Sequence, residues 1–300
     1  MVTIIDGKKT SAEIKIELIK EVEELKEKNI TPQLALLFVG NDPASEVYVN
    51  NKHKFCNEIG VISIIEKCPE NITEQAILSI ISNWNADKNI HGILVQLPLP
   101  KHIDETKILL TIHPSKDVDG FHPENIGRLV AGLPCYIPCT PQGIYELLKR
   151  YNIDTKGKHI VVVGRSNIVG KPIANLLVQK MPNANAVVTI CHSAAKNISD
   201  YTKTADIIIA AVGVPKLIKK DDVKDGVVII DVGINRIADA NAPKGSRLVG
   251  DVDYNDVLEK VSAITPVPGG VGPMTIAMLL KNTIRSAKKE VYCKIIKCSI

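Results

Sequence analysis

Short apolar runs alternate with stretches of helical periodicity along most of the 300-residue chain. The first half opens with a helical pattern around 14–25, and three apolar runs then alternate with two more helical patterns. The predicted strands cover 34–39, 61–65 and 92–96, and the predicted helices cover 44–59 and 73–86. Strands that alternate with helices are typical of βα units, in which the strands form a parallel sheet.

The second half contains four further apolar runs, at 159–163, 186–190, 206–210 and 227–231. Each run is apolar on both faces, which predicts strands buried inside a parallel sheet. A final helix is predicted over 273–290, with proline at an early helical position. Between the halves, the prolines of segment 133–141 continue neither a helix nor a central strand, so we place a domain boundary there. The sequence therefore predicts two α/β domains.

Composition excludes several classes of protein. The chain is 45% apolar and 23% charged, as ordinary globular proteins are. No apolar stretch approaches the ~18 residues of a membrane-spanning helix, and the N-terminus lacks the features of a secretion or import signal. We therefore expect a cytoplasmic protein with no membrane partner.

Charge and aromatic content argue against nucleic-acid binding. The net charge is +4, but the last twenty residues alone carry +5, so the remaining residues carry −1 and lack the clustered positive surface that nucleic acid requires. Three Phe and one Trp offer few surfaces for base stacking. The sequence does not reveal what the basic tail after residue 290 does.

Metal and serine-hydrolase chemistry also lack support. The seven cysteines are irregularly spaced, with no Cys-x-x-Cys, so we expect reduced and mostly buried thiols. The histidines form no His-Glu-x-x-His or comparable spacing, and the chain has no Gly-x-Ser-x-Gly. No metal site is predicted.

A glycine-containing turn follows the strand at 159–163. Gly164 and Gly170 allow a tight turn and close approach of a ligand, and the helix that follows presents free N–H groups to an anion. This turn is not a phosphate-binding P-loop, because the spacing of its glycines differs and Pro172 stands where the magnesium-binding hydroxyl would be. It also departs from the standard Gly-x-Gly-x-x-Gly motif, because Ser166 replaces the middle glycine. The turn favours a phosphate-bearing cofactor, and a bare βα turn is the alternative.

The end of the next strand indicates which dinucleotide is preferred. NAD-binding folds usually place an acidic residue there, whereas this strand ends Thr-Ile-Cys-His-Ser193. Arg165 and Ser193 supply a charge and a hydroxyl for a 2′-phosphate, so NADP is preferred over NAD.

Four features of the remaining chain are candidates for substrate binding. Tyr48 and Lys52 lie one turn apart on a helix face, with an ordinary amphipathic helix as the alternative. Short-chain dehydrogenases share the Tyr-x-x-x-Lys spacing, but in them it follows the glycine-rich turn. Here it lies far before that turn, so the order of the motifs excludes this family. Gln96 ends a predicted strand, and open α/β sheets bind their ligands at such strand ends. The alternative is that Gln96 only marks the point where the strand stops pairing. Segment 116–120 holds two carboxylates before a turn glycine, and segment 265–273 forms a rigid wall of proline and glycine.

Seven motifs, in order along the chain, closely resemble those of the bifunctional methylenetetrahydrofolate dehydrogenase/methenyltetrahydrofolate cyclohydrolase family. They are Tyr48-x-x-x-Lys52, Val95-Gln-Leu-Pro-Leu-Pro100, Lys116-Asp-Val-Asp-Gly120, Pro138-Cys-Thr-Pro141, Gly164-Arg-Ser-x-x-Val-Gly-x-Pro172, Asp231-Val-Gly-Ile-Asn235 and Thr265-Pro-Val-Pro-Gly-Gly-Val-Gly-Pro-Met-Thr275. The resemblance runs from Asp6 to about residue 290, without a departure at a motif position.

The resemblance implies a folate-binding α/β domain over 1–138, completed by the C-terminal helix at about 273–292. It implies a Rossmann-like NADP-binding domain over 139–272 with a mainly parallel sheet, and a homodimer. Lys52 is then the catalytic acid or base, Gln96 its hydrogen-bonding neighbour, Tyr48 a platform for the aminobenzoyl ring and Asp119 the ligand of the pterin. Beside the folate we expect Pro268, Gly269 and Gly270, and beside the cofactor Gly164, Arg165, Ser166, Ser193 and Ile234.

The implied activity is oxidation of 5,10-methylenetetrahydrofolate by NADP⁺, followed by hydrolysis of the methenyl product to 10-formyltetrahydrofolate. Two alternatives stay open, a shikimate-type two-domain dehydrogenase and a non-catalytic NADP-binding regulator. The ratio of the two activities, the physiological direction and the tolerance of NAD do not follow from the sequence.

Overall fold

A computed structural model describes residues 2–239 and 245–292. The chain forms two compact units, each with its own sheet. The six-stranded unit comprises Met1–Ala12 with Thr140–Thr275, and the three-stranded unit comprises Glu13–Cys139 with Ile276–Ile300. The domain limits 1–138, 139–272 and 273–292 stay a prediction.

Strands and helices alternate along most of the chain. The strands are β1 (Thr3–Ile4), β2 (Gln33–Val39), β3 (Ile62–Cys68), β4 (Gly92–Val95), β5 (His159–Val163), β6 (Val187–Cys191), β7 (Ile207–Ala210), β8 (Val227–Asp231), β9 (Asn235–Ala238), β10 (Ser246–Val249) and β11 (Val261–Ile264). The helices are α1 (Gly7–Lys26), α2 (Pro43–Ile59), α3 (Glu74–Ala86), α4 (Glu105–Thr111), α5 (Pro123–Val130), α6 (Cys139–Arg150), α7 (Gly170–Leu177), α8 (Ser199–Thr202), α9 (Tyr254–Val257) and α10 (Val271–Ala287). The consecutive helices α4 to α6 and the consecutive strands β8 to β10 are exceptions to the alternation.

The three-stranded unit has a parallel sheet in the order β3-β2-β4. Central β2 is buried on both faces from Leu34 onward. Helix α2 begins where the Asp42 side chain accepts a hydrogen bond from the Ser45 N–H at 2.8 Å, with Pro43 in the first turn, and it ends at Gly60 in the left-handed conformation. These capping residues explain where helix α2 begins and ends, and the predicted helix over 44–59 is confirmed.

The six-stranded unit has a parallel sheet in the order β1-β11-β8-β7-β5-β6. Strands β5, β7 and β8 are buried as predicted. The prediction that the run at 186–190 is buried on both faces is wrong, because β6 lies at the edge of the sheet, where Val187 is 62% exposed. The pattern did not predict β1, β11 or the antiparallel β9–β10 pair, which have only two to four residues each.

The last helix, α10, begins two residues before and ends three residues before the predicted limits. Its buried Asn282 side chain donates to the Val118 carbonyl at 2.9 Å and to the Ile137 carbonyl at 3.2 Å. Its Ser286 hydroxyl donates to the His91 carbonyl at 2.6 Å. Helix α10 therefore holds three loops of the three-stranded unit in place.

Neither a helix nor a strand continues through 133–138, as predicted, and helix α6 begins at Cys139. Five cysteines lie in the described ranges, and all five are buried free thiols, whereas Cys293, Cys298 and the tail from 293 lie outside the described residues. Across the described ranges, no helix combines the length and apolar character needed to cross a membrane.

Candidate active site

Lys52 and Gln96 meet in the three-stranded unit. Lys52 lies on α2, and its Nζ donates to Gln96 Oε1 at 2.9 Å. Gln96 comes directly after β4, where its N–H continues the ladder to the Leu37 carbonyl at 2.9 Å. Its Nε2 donates to the Leu97 carbonyl at 2.8 Å, which turns Oε1 toward the lysine. The amide is therefore fixed from two sides and presents an acceptor to the amine.

Burial and a neighbouring carboxylate act in opposite directions on Lys52. Burial lowers the pKa of the amine, and the charge of Asp119 raises it by less. In turn, burial raises the pKa of Asp119 and the charge of Lys52 lowers it. The amine therefore loses its proton more easily than a surface lysine does, which suits proton transfer.

Asp119 is placed by a tight turn. The Gly120 N–H donates to the Asp117 carbonyl at 3.1 Å, and Gly120 has a φ of +77°. A Cβ at Gly120 would lie 2.7 Å from the Pro138 backbone nitrogen, so the turn requires glycine. Motif Lys116-Asp-Val-Asp-Gly120 therefore does more than form a turn, because it brings one carboxylate to Lys52.

Two cysteines beside Lys52 were not predicted as part of this site. Burial raises the pKa of Cys139 well above its ordinary value and that of Cys56 to about 12. Both thiols therefore stay protonated at neutral pH, and Asp119 is the neighbour whose charge raises the pKa of the amine most. The four-residue spacing of Lys52 and Cys56 on α2 was the available signal for Cys56.

Tyr48 precedes Lys52 by one turn of α2, as predicted, and is 44% exposed. Its phenol ring is thus available to a ligand. Packing of Tyr48 on a folate stays a prediction.

The glycine-containing turn after β5 fits a dinucleotide. Gly164 has a φ of +129°, and a Cβ there would lie 2.2 Å from the Ala211 carbonyl oxygen. A Cβ at Gly170 would lie 2.2 Å from the Gly164 oxygen. Ser166 Oγ accepts hydrogen bonds from the Val169 and Gly170 N–H groups at 3.1 and 3.2 Å, which fixes the start of α7. The compact turn leaves Arg165 exposed.

Ser193 and Ile234 lie at the same edge of this sheet as the turn. Strands β5 to β8 are parallel, so their carboxyl ends share one edge, where open α/β sheets bind ligands. Ser193 follows β6 and Ile234 follows β8, and both are exposed. Strand β6 ends without an acidic residue, which is compatible with a 2′-phosphate. All five predicted cofactor residues thus lie at one edge of the sheet, while their contact with a cofactor stays a prediction.

Two buried aspartates shape this edge, and neither was assigned a role from the sequence. Asp231 ends β8 and accepts from the Gly233, Asp251 and Val252 N–H groups at 2.9 to 3.0 Å. Asp251 accepts from the Val212 and Gly213 N–H groups at 2.7 and 3.0 Å. Burial raises the pKa of Asp231 to about 6. The pair fixes the loops after β7 and β8, and an acidic residue at a buried strand end was the available signal.

The wall at 265–273 packs on the start of α1. A Cβ at Gly7 would lie 1.7 Å from the Gly270 oxygen, and the Lys8 N–H donates to the Gly269 carbonyl at 2.9 Å. Pro268 is exposed and Gly270 is buried. The predicted wall is thus present as backbone, and contact of Pro268, Gly269 and Gly270 with folate stays a prediction.

Within the described residues, no group of three or more His, Cys, Asp or Glu side chains is placed to hold a metal ion.

Known proteins resemble this chain over nearly its full length. Residues 5–119 match the tetrahydrofolate dehydrogenase/cyclohydrolase catalytic domain, and residues 138–291 match the NAD(P)-binding domain of the same family. Bifunctional protein FolD of Chlorobium chlorochromatii is 60% identical over 289 residues, which are 95% of this chain and 98% of that protein.

Two crystal structures show the same architecture. FolD methylenetetrahydrofolate dehydrogenase/cyclohydrolase of Campylobacter jejuni has a TM-score of 0.92 at 51% identity and covers 97% of this chain and 100% of its own. The Trypanosoma brucei enzyme, in complex with NADP and an inhibitor, has a TM-score of 0.90 at 38% identity and covers 96% and 98%. The chain belongs to the tetrahydrofolate dehydrogenase/cyclohydrolase family.

Proposed function

We propose that the protein oxidises 5,10-methylenetetrahydrofolate to 5,10-methenyltetrahydrofolate with NADP⁺ and hydrolyses the product to 10-formyltetrahydrofolate. The observation that carries this proposal is the Lys52 amine, held by Gln96 at 2.9 Å beside the Asp119 carboxylate. The Chlorobium and Campylobacter relatives, described as bifunctional, support both activities.

Folate binding relies on Asp119 and Tyr48. The Asp119 carboxylate accepts hydrogen bonds from the amino and imino groups of the pterin, and such charge-assisted bonds fix the ring strongly. The half-exposed Tyr48 ring packs against the aminobenzoyl group. The wall at Pro268, Gly269 and Gly270 lies beside the folate. These contacts orient the one-carbon bridge, and orientation is what the first reaction chiefly needs.

The oxidation removes a hydride from a carbon between two nitrogens, so the cation that forms is delocalised. NADP⁺, when bound, supplies the hydride acceptor. Gly164, Arg165, Ser166, Ser193 and Ile234 hold it, with the Arg165 guanidinium and the Ser193 hydroxyl at the 2′-phosphate. The Trypanosoma relative in complex with NADP supports this choice.

The hydrolysis needs a proton carrier. Water adds to the methenyl carbon and gives one proton to the Lys52 amine. The bond from that carbon to N5 then breaks as the hydroxyl oxygen of the adduct becomes the formyl oxygen, and the hydroxyl proton passes to N5. The amine gives its proton to solvent, so one proton is released overall. Gln96 keeps the amine in place through both events, because its oxygen accepts from the neutral or the charged form.

One absorbance experiment tests the proposal. Purified protein is given methylenetetrahydrofolate with NADP⁺ or NAD⁺ and NADPH or NADH formation is followed, and methenyltetrahydrofolate hydrolysis is followed separately. We expect both activities, with NADP⁺ preferred. Tight folate binding without turnover would instead identify a non-catalytic regulator, and turnover of shikimate without folate turnover would identify a shikimate-type enzyme.

We further propose that the protein acts as a cytoplasmic homodimer with one-carbon tetrahydrofolates as its partners, and binds neither nucleic acid nor membrane. Sedimentation of the purified protein tests the oligomeric state, and fractionation of the source cells tests the location.

A further inference from the structure

The loop that carries Asp119 is closed by a second, more deeply buried carboxylate. Asp117 is 2% exposed. Its side chain accepts from the His122 N–H at 2.8 Å, the Phe121 N–H at 3.3 Å and Asn125 Nδ2 at 2.9 Å. All three donors are neutral and lie within the next eight residues. The carboxylate therefore ties both ends of the turn around Asp119 together.

Asn125 connects this turn to the rest of the three-stranded unit. It is 0% exposed, and its Nδ2 also donates to the Pro114 carbonyl at 3.0 Å. Its Oδ1 accepts from the Tyr136 N–H at 3.1 Å and from the Tyr292 hydroxyl at 2.9 Å. The two donor and two acceptor positions of the amide are thus all used. Asn125 fixes Asp117 against the segments before and after the Asp119 turn and against the end of the described chain.

A buried carboxylate costs free energy, and hydrogen bonds from neighbouring donors offset part of that cost. Burial raises the pKa of Asp117, and so does the charge of Asp119 nearby, while the hydrogen bonds lower it by less than burial raises it. The fold keeps two carboxylates two residues apart in a buried region. The three hydrogen bonds to the Asp117 carboxylate fix the shape of the turn, because each bond restrains a different backbone or side-chain group.

We infer that Asp117 and Asn125 are positioning residues that orient Asp119 for the folate. Their side chains act through the turn and do not touch the substrate. This inference rests on the proposed role of Asp119 as the ligand of the pterin.

The test is a double-mutant cycle in folate affinity. Asp117→Asn is expected to raise the Kd for methenyltetrahydrofolate about tenfold or more in the parent enzyme, because it disturbs hydrogen bonds to a charged group. In an Asp119→Asn background the same substitution is expected to change that Kd less than about twofold, since residues that act through one another are not additive. The Kd for NADP⁺ is expected to stay unchanged throughout.

A reciprocal exchange separates positioning from general damage. Asp117→Asn combined with Asn125→Asp keeps one amide and one carboxylate in contact, and the carboxylate that Asn125→Asp introduces still accepts from the Tyr136 N–H and the Tyr292 hydroxyl. We expect it to recover part of the lost folate affinity. Glu24→Gln, an exposed residue on helix α1 in the same unit, is the matched control and should behave as the parent. Should Asp117→Asn fail to fold, Tyr292→Phe removes only the outermost bond, and we expect it to raise the folate Kd by a smaller factor.

The outcomes are distinguishable. An equal loss of folate affinity from Asp117→Asn in both backgrounds, or no loss in the parent, would overturn the inference while leaving the role of Asp119 intact. If Asp119→Asn itself leaves folate affinity unchanged, the proposed pterin contact fails, and the positioning role fails with it.

Discussion

Replacing Lys52 with methionine is expected to separate the two proposed activities. The substitution keeps an unbranched apolar stem inside the site and removes the amine that contacts Gln96 Oε1 at 2.9 Å. Hydride transfer needs aligned carbons, whereas hydrolysis needs a group that moves a proton. Lys52→Met should therefore abolish cyclohydrolase activity, while dehydrogenase activity persists at a reduced level.

The size of the effect follows from the chemistry that is lost. A positioned acid or base contributes about 10²- to 10⁴-fold to a rate, which corresponds to about 3 to 5 kcal/mol of barrier. Stability should change little. The lost hydrogen bond costs about 1 kcal/mol, and the variant no longer buries an amine whose pKa is lowered by burial.

Burial of the Lys52 amine makes the stability of the fold depend on pH. Between the lowered pKa and the ordinary value of 10.5, the unfolded chain binds the proton and the folded chain does not. The folded state is therefore disfavoured as pH falls through this range, and methionine removes the penalty. The unfolding temperature at pH 7 should stay within about 4 °C of the parent.

The assay measures methenyl hydrolysis and NADPH formation separately on the purified variant, with thermal unfolding measured in parallel. Lys54→Met, an exposed lysine on the same helix, is the matched control and should retain both activities. Undiminished cyclohydrolase activity in Lys52→Met would remove the amine from the mechanism.

Three further substitutions test the other contacts. We expect the parent enzyme to prefer NADP⁺ over NAD⁺ at least about tenfold, or about 1.4 kcal/mol. Arg165→Ala should erase most of this preference, whereas the control Lys180→Ala should keep it. Equal catalytic efficiency with NAD⁺ in the parent enzyme would contradict the reasoning. Asp119→Ala should weaken folate binding by roughly 2 kcal/mol and spare NADP⁺, unless the residue only shapes the turn, in which case both affinities or the fold would suffer. Gly164→Ala places a Cβ 2.2 Å from a carbonyl oxygen, so calorimetry should show NADP⁺ binding lost with folate binding kept. Gly157→Ala, where a Cβ meets nothing within 4 Å, controls for strain from a positive φ alone.

The predictions from sequence that held concern elements with strong local signals. Strands such as β2 and β8 are apolar on both faces, and helix α2 carries an aspartate cap, a proline start and a glycine end. Tyr48, Lys52 and Gln96 could be placed because each lies at a fixed position on a helix or at a strand end. The prediction that strand β6 is buried on both faces was wrong, because apolar composition does not reveal whether a strand has neighbours on both sides or lies at the edge of the sheet.

What the sequence could not show depends on contacts between distant residues. The proximity of Cys139 to Lys52 is created by the fold, since these residues are far apart in the chain. The sequence shows Asp117 only as one of two carboxylates before a turn glycine, and the hydrogen bonds from His122 and Asn125 reveal that it closes the loop. Strand β11 forms where it pairs with β8 and β1 forms where it pairs with β11, and neither segment of two to four residues signals these partners by itself.

We expect Asp119, through its proposed contact with the pterin, to couple substrate binding to the protonation of Lys52. The negative charge of Asp119 raises the pKa of the amine, against the larger lowering by burial. A pterin that donates hydrogen bonds to Asp119 offsets part of that charge, and the folate also displaces water, so both effects lower the pKa of Lys52 when substrate is bound. Because the amine must be unprotonated to accept a proton from water, the rising limb of cyclohydrolase kcat should lie at lower pH than that of kcat/KM, which reports the free enzyme. Asp119→Asn removes the charge altogether and should move the kcat/KM limb to lower pH, toward the kcat limb. A limb that stays in place in Asp119→Asn would show that the carboxylate does not control the amine.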